Sequence, residues 1–172
     1  INDEEVTQED VDNVIHTARS VKIPTERRIL HVLPQEYSID VQDGIKSPIG
    51  MSGMRMEAKA HIVTCANDMA KNITKSVERC GLKVDDLVFS GIASADSVLT
   101  NDEKDLGVCI VDIAGGTTDI AVYTNGALRH CAVVPVAGNQ VSSDIAKIFR
   151  TPLTHAEQII VQFASARSSM VS

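Results

Sequence analysis

The sequence predicts a mixed α/β (α+β) chain. A first subdomain sets two helices on one face of a three-stranded antiparallel sheet, and a strand, a glycine-turned hairpin and further helices follow. Three observations predict this. Apolar residues recur at helical spacing at Val11, Val14, Ile15 and Ala18, and again at Met69, Ala70, Ile73 and Val77. Between these stretches, Met54, Met56, Ala58, Ala60 and Ile62 alternate with Arg55, Glu57, Lys59 and His61, the period-two pattern of a half-exposed strand. Finally, an apolar run over 107–113 meets Gly115-Gly116, returns as a second apolar run over 119–124, and turns again at Asn125-Gly126.

Taken in order, Thr7 is placed to cap the first helix, and Pro24 closes that region. Arg28–Leu33 is rich in strand formers, and Tyr37, Ile39 and Val41 alternate with polar residues. Asp43-Gly44, Pro48-Ile49-Gly50 and Ser52-Gly53 read as loops. The second helix is expected to use Asn67 as its N-cap, to turn Met69, Ala70, Ile73, Val77 and Cys80 inward, and to stop at Gly81. A short middle part offers Leu87-Val88-Phe89 as a buried strand and Ala93–Leu99 as a small-residue helix. In the last part a third strand is expected over 128–136 and a helix from Gly138 through Phe149. Thr154-x-x-Glu157 reads as a capping box for a final helix. The expected divisions are therefore 1–84, 85–104 and 105–172. The opening without Met and the stop within a helix pattern predict a piece of a longer protein.

Composition narrows the function classes. Hydrophobic residues make up 44% of the 172, enough for a core, but aromatics only 3%, so that core must be aliphatic. A net charge of -7 argues against a nucleic-acid partner, which needs a basic face, and against electrostatic attachment to anionic lipid. No stretch approaches the roughly 20 apolar residues of a membrane span. The four cysteines, Cys65, Cys80, Cys109 and Cys131, are widely spaced and read as reduced thiols of a cytoplasmic protein.

The chemistry is concentrated in Val111-Asp112-Ile113-Ala114-Gly115-Gly116-Thr117-Thr118-Asp119-Ile120-Ala121-Val122. A phosphate-binding hairpin needs these parts. Glycines at 115 and 116 let backbone N–H groups approach phosphate oxygens. Thr117 and Thr118 add hydroxyls. Asp112 cannot touch a phosphate, but one carboxylate with waters suits Mg²⁺. Asp119 could be catalytic, but reads rather as a local cap that hydrogen-bonds the glycine turn. No Ser/His/Asp or Cys/His constellation for nucleophilic catalysis is readable, and His31, His61 and His130-Cys131 lack the partner spacing of a metal site. Met51, Met54 and Met56 read as core filler.

Asp112–Asp119 resembles the second phosphate motif of the actin, Hsp70 and sugar-kinase superfamily. Within it the chain is most similar to the FtsA family of bacterial cell-division proteins, through Leu30–Tyr37, Asn67–Asn72, Val77–Lys83 and Gly126–His130 as well. That resemblance implies an actin-like ATPase fragment. Residues 1–84 would be the inserted subdomain 1C, 85–104 a return into subdomain 1A, and 105–172 the start of subdomain 2A with the phosphate hairpin. It implies an ATP-binding scaffold of the division ring at the cytoplasmic face of the inner membrane, with ATP and Mg as cofactors and weak or absent hydrolysis. It further implies self-association through 1–84, docking of the FtsN cytoplasmic tail there, and contacts to FtsZ and membrane through regions outside this chain. The competing reading is an actin-fold adaptor such as a type IV pilus assembly protein, without nucleotide turnover. Either exposed sheet edge, Met54–Thr64 or Arg28–Leu33, could accept a further strand. The chain departs from the family in two places. Ala114 stands where the family has a first glycine, costly only if that position needs positive φ. Phe149-Arg150-Thr151-Pro152 stands where the family has Phe-Gly-Thr-Pro.

Overall fold

The structure is a computed structural model that describes residues 5–167 and 169. Its elements run α1 (Gln8–Arg19), β1 (Arg27–Ile39), β2 (Gln42–Ile45), β3 (Met56–Ala66), α2 (Asn67–Glu78), α3 (Ser90–Val98), α4 (Asn101–Leu106), β4 (Val108–Ile113), β5 (Thr118–Thr124), β6 (Ala127–Val134), α5 (Gly138–Phe149) and α6 (Leu153–Phe163). Two three-stranded sheets result, in the orders β2-β1-β3 and β4-β5-β6. The chain divides into two compact units, Ile1–Ile110 with Ala121–Cys131 and Val111–Ile120 with Ala132–Ser172.

In the first unit, α1 starts where its capping signal lies. The Thr7 hydroxyl accepts from the Asp10 N–H at 3.2 Å, and the Asp10 carboxylate accepts from the Thr7 N–H at 3.0 Å. Its apolar stripe buries Val11 against Val6, Tyr37 and Ile39, with Val14, Ile15, Ile45, Met51 and Met56 around them. β1 pairs antiparallel with β3 from Arg27↔Ala66 to Ile39↔Met56. It is one strand rather than two, because the register slips at two places, the second between Pro34 and Glu36, and so absorbs the proline. The turn into β2 is made at Asp40, with φ 52. Asp43-Gly44 accordingly falls within the short strand β2, not in a loop.

Several expectations are corrected. Met54 is 84% exposed and fills no core, whereas Met51 and Met56 do. α2 begins directly after β3 with Ala66 at its N-cap, because Asn67 is spent elsewhere, its amide donating to the Thr25 carbonyl at 2.9 Å. Only Ala70 of its apolar face is buried; Met69, Ile73 and Cys80 are exposed. Leu87-Val88-Phe89 is not a strand, and Val88 is exposed: an isolated strand leaves its backbone groups unpaired. α4 arises from a capping box at Thr100 and Glu103.

A second core in the same unit gathers Ala95, Ala121, Tyr123 and Leu128, with Leu33, Ile92, Leu99, Val108, Ile110 and Cys131 packed against them. In the other unit α5 spans its predicted residues and packs with α6. α6 opens at Pro152, not at Thr154. The Pro152 carbonyl accepts from His155 and Ala156, so the Thr154-Glu157 box is not formed.

Candidate phosphate-binding hairpin

β4 and β5 are joined by a tight turn in which the Ala114 N–H donates to the Thr117 carbonyl at 3.0 Å. Only Gly115 and Gly116 lie between, so the turn is as short as a hairpin allows. Side chains alternate along both strands. Val108, Ile110 and Asp112 share the more buried face of β4, as Asp119, Ala121 and Tyr123 do on β5. Asp112 is thus half-buried near the end of its strand, and Asp119 is buried.

The turn is held from outside by the start of α5. The Gly138 N–H donates to the Ala114 carbonyl at 3.1 Å, and the Asn139 N–H to the Gly115 carbonyl at 2.8 Å. A Gly138 Cβ would stand 3.4 Å from the Ala114 carbonyl oxygen, an ordinary contact. The Thr118 hydroxyl donates to the Val136 carbonyl at 2.7 Å, tying the base of the hairpin to the segment that leads into α5. Thr117, Gly115 and Gly116 face solvent.

These bonds give the turn a direction. Its carbonyls at 114 and 115 are turned to α5 and used there, while among the described residues no backbone carbonyl takes the N–H of Gly115 or Gly116. The first N–H groups of α5 are likewise consumed: Gly138 and Asn139 serve the hairpin, and Gln140 donates to Ala137 at 3.0 Å. The helix end is therefore scaffolding for the turn rather than an anion site of its own.

Of the residues singled out from the sequence, Asp112, Gly115, Gly116, Thr117 and Thr118 lie together on this one hairpin. The structure resolves the question posed by Ala114. The described non-glycine residues with positive φ are Asp40, Asn125 and Arg150, so Ala114 adopts an ordinary conformation and bears no such strain. Arg150 is the departure with a cost. It is the C-cap of α5 at φ 50 and ψ 45, the left-handed position that favours glycine. Sequence reasoning missed Asn139 and Val136; the only signal for Asn139 was its place beside a helix-opening glycine.

Known proteins resemble this chain along nearly all its length. A family model described as the SHS2 domain inserted in FtsA matches residues 1–64, and one for cell division protein FtsA matches residues 109–172. Cell division protein FtsA of Escherichia coli (strain K12) is 65% identical over 171 residues, 99% of this chain and 41% of that protein. FtsA of Pseudomonas aeruginosa is 54% identical over 170 residues, again 99% and 41%. The chain thus spans well under half the length of these relatives. Among solved structures, a PilM-PilN type IV pilus biogenesis complex superposes with a TM-score of 0.58 at 16% identity, covering 92% of this chain and 45% of that one, a likeness of fold alone. With two FtsA-specific matches and this identity across its length, the chain, of actin-like fold, belongs to the FtsA family of cell-division proteins.

Proposed function

We propose that this chain supplies the phosphate-side half of an ATP site in an actin-like scaffold of the bacterial division ring. The observation that carries the reading is the turn at 115–116. A Cβ on Gly116 would have nothing within 4 Å, so the space above the turn is open, and the neighbouring N–H groups are left unused by the backbone. Such a surface accepts phosphate oxygens closely. Gly115, Gly116 and Thr117 offer the donors. Thr118, whose hydroxyl is given to Val136, acts by holding the turn in place.

The residues also fit a magnesium nucleotide. A magnesium ion neutralises phosphate charge and keeps most of its waters, so one carboxylate at its edge suffices. Asp112, beside the turn and half-buried, is the residue to hold it through water. Hydrolysis of the bound nucleotide is taken to be weak or absent, as in the family reading.

The layout follows the family. Residues 1–84 form the inserted 1C subdomain, 85–104 return to 1A, and 105–172 open 2A. The 1–84 subdomain serves self-association and docking of the FtsN cytoplasmic tail, while FtsZ and membrane contacts belong to regions beyond residues 1–172. The working place is the cytoplasmic face of the inner membrane at the septum.

The test is equilibrium Mg-ATP binding to the full-length protein carrying this segment, with and without Asp112→Ala. The unaltered protein binds, and Asp112→Ala weakens binding about tenfold or more with Mg²⁺ present, a gap that closes in excess chelator. An unaltered protein that does not bind ATP overturns the reading.

A further inference from the structure

A side chain from outside the hairpin lies close to the glycine turn. Asn139 is the second residue of α5 and exposed to solvent. Its carboxamide lies against Gly115: a Cβ there would stand 3.3 Å from Asn139 Oδ1 and 3.6 Å from Nδ2. The same residue's backbone N–H donates to the Gly115 carbonyl at 2.8 Å. One residue therefore grips the turn through its backbone and sets a neutral polar group beside it. An aspartate would suit the helix start better, since the first turn of a helix favours negative charge. Beside bound phosphate, the same charge would repel.

We infer that Asn139 is a positioning residue of the phosphate site, holding the Gly115 carbonyl and presenting an uncharged carboxamide to the anionic ligand. This rests on the phosphate reading of the hairpin given above. A Cβ at 115 would press on the Asn139 carboxamide, which would have to shift by a few tenths of an ångström, and Asn139 must be uncharged because of what the turn binds. An asparagine with only a structural task at a helix start would lose nothing on becoming an aspartate.

That contrast supplies the experiment, made on the full-length protein carrying this segment with Asn139→Asp and Asn139→Ala, reading the thermal midpoint and the Mg-ATP dissociation constant separately. For Asn139→Asp the expected result is an unchanged or raised midpoint together with a dissociation constant about tenfold higher or more. Asn139→Ala keeps the backbone bond and weakens binding about threefold, less than the charged variant. If the unaltered protein binds Mg-ATP and Asn139→Asp binds equally well, the inference about Asn139 falls while the hairpin reading stands. If the unaltered protein does not bind, the hairpin reading falls and takes this inference with it.

Discussion

His61 Nε2 and Cys131 Sγ lie 3.2 Å apart, joining β3 of the inserted subdomain to β6 of the second sheet. Gln35 makes a parallel link, its amide donating to the Leu128 carbonyl at 2.7 Å. These contacts are half-buried, unlike the Lys46–Asp105 pair at 2.6 Å, which is exposed on both sides and so contributes little.

Burial, and then the nearby His130, push the His61 imidazole below its ordinary value of 6.5. The folded state therefore prefers neutral His61. Its contribution to stability is complete above the unfolded value near 6.5 and is lost as pH falls through the lower folded one. Thermal midpoints measured from pH 7.5 to 5 should decline more steeply for the unaltered protein than for His61→Gln. Parallel curves would show that His61 is not responsible.

Burial raises the Cys131 thiol, while Cys80 and Cys109 are exposed. A thiolate-selective reagent at neutral pH should modify Cys131 about tenfold more slowly than those two, since reaction needs the anion and access. Mass-resolved labelling over time measures this directly, and equal rates would refute the burial argument.

Arg150 holds a left-handed C-cap with a side chain that disfavours it. Arg150→Gly should stabilise the protein by about 1 kcal/mol in denaturant unfolding, because the strain of a Cβ in this region is removed. A neutral or destabilising result would mean that Arg150 makes compensating contacts.

The Thr100 hydroxyl accepts from the Glu103 N–H at 3.3 Å, and the Glu103 carboxylate accepts from the Thr100 N–H at 2.8 Å. The helix so capped carries Lys104 and Asp105, whose carbonyls accept the N–H groups of Gly126 and Asn125 in the next hairpin. Thr100→Ala should cost about 1 kcal/mol of stability, and Thr100→Ser should restore most of it.

Much of this was legible in the sequence. α1 followed its cap and apolar period, α5 opened at the expected Gly138 and ran to the expected Phe149, and the Gly115-Gly116 and Asn125-Gly126 turns set the second sheet. α4 escaped although Thr100-x-x-Glu103 carries the same box that marks many helix starts; its span of six residues is too short for periodicity to register. The converse error occurred at Thr154-x-x-Glu157, where Pro152 started the helix earlier. Side-chain burial was the least legible layer. Period two gives the face of Met54 but not that its strand begins only at Met56, and period 3.6 gives the stripe of α2 but not what covers it. At the hairpin, the residue types suggested the chemistry proposed for it. The grip of Asn139 on Gly115 and of Thr118 on Val136 joins residues 24 and 18 positions apart, which no local pattern encodes.

The most direct test of the phosphate hairpin is Gly116→Ala in the full-length protein, read by Mg-ATP titration and thermal midpoint together. A Cβ at 116 meets nothing within 4 Å and the position has no positive φ, so the variant should fold as stably as the parent, or more so by a few tenths to about 1 kcal/mol. The account predicts that its ATP affinity nonetheless falls about tenfold or more, because the methyl group occupies the path by which phosphate reaches the backbone. A variant that binds Mg-ATP as tightly as the parent would contradict it.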